Sequence, residues 1–177
     1  LAMRAVMRGT ITIEDIEYDL SHLNPFTIEV TPRAPNSPTC KVLVSFGHHT
    51  FTRAFAATAD RIEYLYSENN DERCFCPDRH LSSKNLRGLI AYHSNGKAYF
   101  SQRRNYMLLD QPLGGIPYAV FFNLERATNI VGIDATMFVV SAHPRDNLPA
   151  KNRIPSMSYA TLLSKTVRGE AIIPPKK

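Results

Sequence analysis

Histidine and arginine side chains gather at two places in this sequence where chemistry on an anionic substrate is possible. The pair His48-His49 follows directly on an apolar run at residues 41–46, and the run at residues 77–84 carries Arg79 and His80. Histidine can both take and give a proton near pH 7. Arginine binds phosphate through a bidentate fork and stabilises charge that develops on it. No dense carboxylate cluster accompanies these residues to hold magnesium.

This combination of side chains predicts cleavage of RNA without a metal ion or other cofactor. One imidazole would remove the proton of the ribose 2′-OH, a second group would protonate the leaving 5′-oxygen, and arginine would hold the phosphate. His49 is preferred to His48 because strand alternation directs His48 to the apolar face. The candidate catalytic residues are His49, Arg53, Arg79 and His80, and the candidate substrate-binding residues are Lys84, Tyr106 and Ser141.

A zinc site is the alternative chemistry at the second cluster. Cys74, Cys76 and His80 place two thiols and an imidazole within seven residues, and Cys40 or His49 could supply a fourth ligand. Thiolate and imidazole are ligands that zinc prefers. However, Cys-x-Cys is not the usual Cys-x-x-Cys spacing, and free cysteines are frequently small core residues. We therefore expect the cysteines to be structural.

Composition and the absence of several motifs exclude other function classes. The 177 residues are 44% apolar and 21% charged, which is typical of a globular domain. No phosphate-binding glycine loop, dinucleotide fingerprint, His-Glu-x-x-His or Gly-x-Ser-x-Gly motif is present. No apolar run is long enough for a membrane span, and residues 1–9 lack the apolar region of a signal peptide. With three cysteines, an odd number too small for a disulfide scaffold, we expect a cytoplasmic protein.

The apolar patterns predict one α+β domain over residues 1–177, with loose termini at 1–9 and 170–177. Its sheet should be mainly antiparallel, with two or three helices packed on one side. Strands are predicted at residues 10–14, 26–31, 41–46, 97–101, 105–109, 118–124 and 135–142. Helices are predicted at residues 53–66 and 158–167, with a loop at 67–73. A further helix is predicted to begin at Ser82 or Ser83, to bury Leu86, Leu89 and Ile90, and to end at Asn95-Gly96.

The arrangement of these elements resembles that of small ribonuclease toxins of the barnase, colicin and RelE type. The resemblance covers residues 41–168 and rests on helices followed by a basic antiparallel sheet. Its closing strands end in Ser141-Ala142-His143-Pro144-Arg145. Such a resemblance implies a metal-independent endoribonuclease held in check by a cognate antitoxin or immunity protein.

A non-enzymatic binding module is the alternative from a different class. The net charge is +5, and residues 145–177 carry seven basic and two acidic side chains. A basic surface of this kind could bind nucleic acid or an acidic protein partner. The residues expected to carry such binding are Lys151, Arg153, Lys165 and Arg168.

Overall fold

A computed structural model describes residues 5–112 and 114–176, in which the chain forms twelve β-strands and three α-helices. The prediction of an α+β fold with mainly antiparallel strands is confirmed, but with twelve strands in place of the seven predicted. Within the described ranges, no helix combines the length and apolar character needed to cross a bilayer.

The elements are numbered along the chain. The strands are β1 (Thr10–Ile13), β2 (Ile16–Asp19), β3 (Phe26–Val30), β4 (Cys40–Phe46), β5 (Thr52–Ala54), β6 (Leu65–Glu68), β7 (Asp71–Phe75), β8 (Lys97–Phe100), β9 (Tyr106–Asp110), β10 (Tyr118–Arg126), β11 (Ala135–Pro144) and β12 (Ser156–Ser158). The helices are α1 (Pro77–Ser83), α2 (Leu86–His93) and α3 (Tyr159–Arg168).

Seven strands form the main sheet, in the order β12-β8-β9-β10-β11-β4-β3. The predicted antiparallel pairing of β10 with β11 is confirmed. Among the remaining neighbouring pairs of this sheet, β11 and β4 run parallel and the others run antiparallel. The carboxyl ends of β4 and β11 therefore lie at the same edge of the sheet, although these strands are far apart in the sequence.

The two faces of the main sheet are covered differently. One face carries the larger apolar cluster, which contains Leu86 and Ile90 of α2 and Leu162 and Leu163 of α3. The other face carries a small cluster of Met107, Leu109, Ala119 and Ile154. Because successive side chains of a strand alternate between faces, β9 supplies Leu108 to the first cluster and its two neighbours to the second.

A β-bulge interrupts this alternation in β11. Phe121 pairs with Ser141 and Phe122 pairs with Val139, so Val140 is an extra residue without a partner in β10. Ala135, Met137 and Val139 point into the larger cluster before the bulge, and Ala142 does so after it. Bulges re-aim side chains in this way and are frequent beside functional sites.

Two predictions between β4 and α1 were wrong. The predicted helix at residues 53–66 is instead a short strand, a turn and the start of β6. Its apolar spacing does not mark a buried stripe, because Ile62 is exposed, and Asp60 caps the turn by accepting from the Ala56 N–H. The predicted loop at 67–73 is a hairpin of β6 and β7, turned by Asn69 and Asn70 with positive φ values of 54° and 62°. Asparagine tolerates this left-handed conformation, as a two-residue hairpin turn requires.

The remaining helices agree better with their predictions. Leu86 and Ile90 of α2 are buried as expected, but the helix begins after Asn85, and Ser82 and Ser83 belong to α1. The predicted helix at 158–167 is α3, capped by the Ser158 hydroxyl, which accepts the Thr161 N–H. Residues 1–4 and 177, assigned to the loose termini, lie outside the described residues, whereas Arg8 is buried.

Candidate functional site

A short 3-10 helix at His48–Thr50 carries the histidine pair across the end of β4. Gly47 joins this helix to the sheet, and its N–H donates to the Val139 carbonyl of β11. The backbone approaches β11 so closely that a Cβ atom at position 47 would lie 2.9 Å from the Phe138 ring. A larger residue here would have to displace the tip of the Phe138 ring, so glycine suits the close passage that places both histidines beside the carboxyl end of β11.

The hairpin of β6 and β7 supplies two carboxylates to the histidine pair. Asp71 Oδ2 lies 2.9 Å from His48 Nε2 and 2.7 Å from His49 Nε2. Glu68, paired with Asp71 across the turn, places Oε1 3.2 Å from His48 Nδ1. Hydrogen bonds from the two imidazoles lower the pKa of Asp71. For His49, burial lowers the pKa despite the opposing hydrogen bond with Asp71.

A buried ion pair holds Glu68 in place. Arg8 donates to both carboxylate oxygens of Glu68 at 2.5 and 3.0 Å, and to the Phe46 carbonyl at 3.1 Å. The Tyr66 hydroxyl donates to the same carboxylate at 2.9 Å. Burial raises the pKa of Glu68, but the hydrogen bonds from Arg8 and Tyr66 outweigh it and leave the pKa below its ordinary value. Glu68 is therefore a fixed anion behind His48.

A pocket of about 530 Å³ opens beside His49 on the face of the sheet opposite α2 and α3. This volume is typical of small-ligand sites. Among the described residues that line it are three arginines and two histidines, and no carboxylate. The lining residues used below are His49, Arg103, Ser141, His143, Arg145 and Arg153.

His143 enters the pocket because of the bulge at Val140. Its ring stacks on Phe121 with a centroid distance of 5.7 Å, and the Arg145 guanidinium lies over the same Phe121 ring at 5.6 Å. Burial lowers the pKa of His143 to about 4, and the charges of Arg79 and Arg145 act in the same direction. His143 Nδ1 is buried and has no hydrogen-bond partner among the described residues. At neutral pH the pocket thus holds a neutral imidazole.

Arg79 of α1 lies behind the pocket and ties it to the histidine segment. Its Nη1 donates to the Thr52 carbonyl at 2.7 Å and to the His49 carbonyl at 3.3 Å. Burial lowers the pKa of Arg79. Tyr118 neighbours Arg79, and its hydroxyl is buried without a partner among the described residues. The guanidinium charge therefore acts on His143 from inside the protein.

The predicted site residues fall into two groups. His49, Ser141 and Arg79 come together around the pocket. Arg53 is exposed on β5 and paired with Asp60, and His80 is buried on the other side of α1, where its Nε2 contacts the Asp19 carbonyl at 2.9 Å.

Two further predicted residues also lie away from the pocket. Lys84 is exposed just after α1, and its charge acts on Asp19 and His22. Tyr106 packs between Phe100 and Phe122 and contributes to the larger cluster.

Sequence reasoning missed the two carboxylates and the role of Arg8. The signal for Glu68 and Asp71 was the Asn69-Asn70 pair, since two residues that tolerate positive φ between alternating segments indicate a hairpin. No sequence pattern connects Arg8 to Glu68, because their contact depends on how the hairpin folds back on the main sheet.

One group of side chains in the described ranges is close enough to share a metal ion. His48, His49 and Asp71 each offer one ligand atom, and these atoms lie within 4.8 Å of one another. Cys74, Cys76 and His80 form no such group in that part of the chain.

The fold and the pocket define an α+β protein with a basic, histidine-containing cleft at one edge of its main sheet. A model of the YjaZ family matches residues 10–167, and the chain belongs to the YjaZ family. No curated protein and no solved structure matches the chain.

Proposed function

We propose that this protein is a metal-independent endoribonuclease, of the kind found in toxins or mobile elements, that cleaves RNA in the pocket beside His49. The observation that carries the proposal is the lining of this pocket, which combines two histidines and three arginines and has no carboxylate among the residues that the structure describes. Such a lining attracts an anion and supplies proton-transfer groups in the same place. The pocket volume also suits a nucleotide.

His49 is the proposed general base. Asp71 accepts the Nε2–H of His49, which leaves Nδ1 as the nitrogen that can accept the 2′-OH proton. Asp71 orients the ring and stabilises the imidazolium that forms, as the carboxylate of a catalytic triad does. The freed 2′-oxygen then attacks the phosphorus, and the 5′-oxygen leaves.

His143 takes the role of second proton-transfer group that the sequence analysis gave to His80. His143 lines the pocket, whereas His80 is buried against Asp19. Burial is the main cause of the lowered pKa of His143, and the charges of Arg79 and Arg145 add to it. A bound phosphate would offset these charges, so substrate binding shifts His143 towards the form that can protonate the leaving oxygen. Arg103, Arg145 and Ser141 are the proposed contacts to the phosphate.

The test is incubation of the purified, tag-free protein with total cellular RNA in EDTA. We expect the wild type to cleave and His49→Ala to lose at least about 100-fold in rate, the usual contribution of a general base. His93→Ala is the matched control, since His93 is also a half-buried histidine paired with an aspartate, Asp110, but lies outside the pocket lining. Full activity of folded His49→Ala contradicts the assignment of His49.

Intact RNA together with a gel shift at low salt would support the binding module instead. Lys165 and Arg168 of α3 both pair with Glu170, which follows the helix. Arg153 lines the pocket, and the Lys151 ammonium contacts the Leu109 carbonyl. These four residues therefore do not form one continuous surface, which favours the pocket as the place of binding.

A ribonuclease of this kind acts where RNA is, so the proposal includes a cytoplasmic location and no membrane partner. It also includes a cognate antitoxin or immunity protein. The arginine-lined pocket offers such an inhibitor a point of contact, because acidic side chains could occupy the place of the phosphates.

A further inference from the structure

We infer that His48, His49 and Asp71 form a binding site for one divalent transition-metal ion of the zinc class. The two imidazole Nε2 atoms converge on the same oxygen, Asp71 Oδ2, at 2.9 and 2.7 Å. All three ligand atoms lie within 4.8 Å of one another. Imidazole and carboxylate are zinc ligands, and three protein ligands with an open fourth position are a common arrangement.

The hydrogen-bond pattern calls for a cation at this point. When His48 Nδ1–H donates to Glu68, a neutral ring directs the lone pair of Nε2 at a carboxylate oxygen. Two electron-pair donors at 2.9 Å repel each other unless a cation lies between them. A metal ion bound by His48 Nε2 and Asp71 Oδ2 would take this place.

The surroundings have the features that support metal-ligating histidines. Such histidines usually donate their other N–H to a carboxylate, which fixes the tautomer and the ring orientation. At His48 this carboxylate is Glu68, which also accepts hydrogen bonds from Arg8 and Tyr66. Ligands of a zinc ion lie roughly 3.4 Å apart at the usual bond lengths, so the site must open by about half an ångström. Asp71, 44% exposed at the end of a hairpin turn, can move by this amount.

Metal binding would regulate the proposed cleavage, and this part of the inference rests on the proposed function. A metal on His49 Nε2 leaves the single ring proton on Nδ1, the nitrogen proposed to accept the 2′-OH proton. Zinc should therefore inhibit cleavage, and EDTA should restore it.

The test is titration of chelator-treated, tag-free protein with Zn²⁺ by calorimetry and with Co²⁺ by visible absorption. We expect one equivalent to bind. Asp71→Asn and His49→Ala should each weaken binding by more than about 100-fold, since even outer carboxylate partners contribute about 10- to 100-fold. His93→Ala should bind like the wild type, because His93 and Asp110 offer one imidazole and one carboxylate without a second histidine.

Absence of stoichiometric binding, or wild-type affinity in both ligand variants, would overturn the inference. Thermal unfolding of each variant shows whether it is folded, and His49→Gln replaces any variant that is not. Binding of zinc by a protein that leaves RNA intact would reject the proposed function and keep the metal site. RNA cleavage by a protein that does not bind zinc would reject the metal site and keep the proposed function.

Discussion

Arg8 is the single residue on which the orientation of His48 most depends, although it lies far from His48 in the sequence. Its side chain is 2% exposed, and it satisfies Glu68, which in turn orients His48. Removal of one partner from a buried ion pair leaves an uncompensated charge, which costs more than the pair itself contributes. The arrangement of the histidines thus depends on a contact made by a residue 40 positions before His48.

Arg8→Met should lower the free energy of unfolding by about 3–5 kcal/mol, because it leaves the Glu68 carboxylate buried and unpaired. The double variant Arg8→Met/Glu68→Gln should recover part of this loss, since the unpaired charge is gone. Urea denaturation of the single and double variants measures both effects. A double variant less stable than Arg8→Met would contradict this account of the pair.

His143 should make the protein less stable in acid. Its ordinary pKa of 6.5 falls to about 4 in the folded protein, so between these values the unfolded chain binds more protons. Its contribution to stability is complete above pH 6.5, falls as the pH drops to about 4, and then stays constant. The difference in unfolding free energy between the wild type and His143→Leu should change over this window. A difference that stays constant from pH 7 to pH 4 would show that His143 is not buried as described.

At the level of elements, the hairpin of β6 and β7 has the greatest effect on the site because it holds both carboxylates. Its turn depends on two asparagines with positive φ. Asn-Gly is the preferred pair for such a turn, whereas a β-branched residue in the left-handed region costs about 1–2 kcal/mol or more.

Asn70→Gly should therefore keep or slightly raise the melting temperature, and Asn70→Val should lower stability by about 1–2 kcal/mol. Asn70→Val should also weaken zinc binding, because displacement of the turn moves Asp71. Calorimetric unfolding and the zinc titration check the two effects. Equal stability of the two variants would mean that the turn is not of this type.

Capping of α3 provides a second test at this level. Ser158→Ala removes the acceptor of the Thr161 N–H and should cost about 1 kcal/mol, whereas Ser158→Asp keeps an acceptor and should stay near the wild type. Chemical denaturation of both variants is the measurement. A loss of the same size in Ser158→Asp would assign the effect to something other than the cap.

Elements with one strong local signal could be predicted from sequence. Strands β10 and β11 are long, rich in β-branched and aromatic residues, and joined by a short connection, so even their pairing could be predicted. The segment after β5 misled prediction because Phe55, Ala59 and Ile62 happen to have helical spacing. The hairpin was missed because its polar residues resemble a loop, and Glu68 is half-buried through contacts with Arg8 and His48, which are distant in the sequence.

At the level of the whole molecule, the site depends on one long-range pairing that no local pattern reveals. Parallel contact of β4 with β11 brings His49 to Ser141 and His143. Residue type alone predicted that His49 and Ser141 share a site, whereas nearness in the sequence led to the inclusion of Arg53 and His80. The topology separates those two from the pocket.

The distribution of charge over the molecule predicts how the proposed RNA binding should respond to salt. Each arginine that contacts a phosphate releases a counterion, so its loss should reduce the slope of log affinity against log salt by about 1. Arg145→Gln and Arg103→Gln should both do so. Lys165→Gln and Arg168→Gln should leave the slope unchanged, because both side chains already pair with Glu170. The measurement is RNA binding by fluorescence anisotropy at several salt concentrations. A lower slope in Lys165→Gln or Arg168→Gln, with an unchanged slope in the two pocket variants, would contradict binding in the pocket.

The bulge in β11 decides which of the last residues of this strand face the pocket. If Val140 were paired with β10 like its neighbours, alternation from Val139 would turn Ser141 and His143 towards the larger cluster and Ala142 towards the pocket. Loss of the Val140 codon would remove the bulge and still leave Ser141 and His143 on the pocket face, because alternation would then continue directly from Val139 to Ser141. The pocket should therefore survive deletion of Val140, whereas regular pairing of Val140 would bury a serine and a histidine and remove the site.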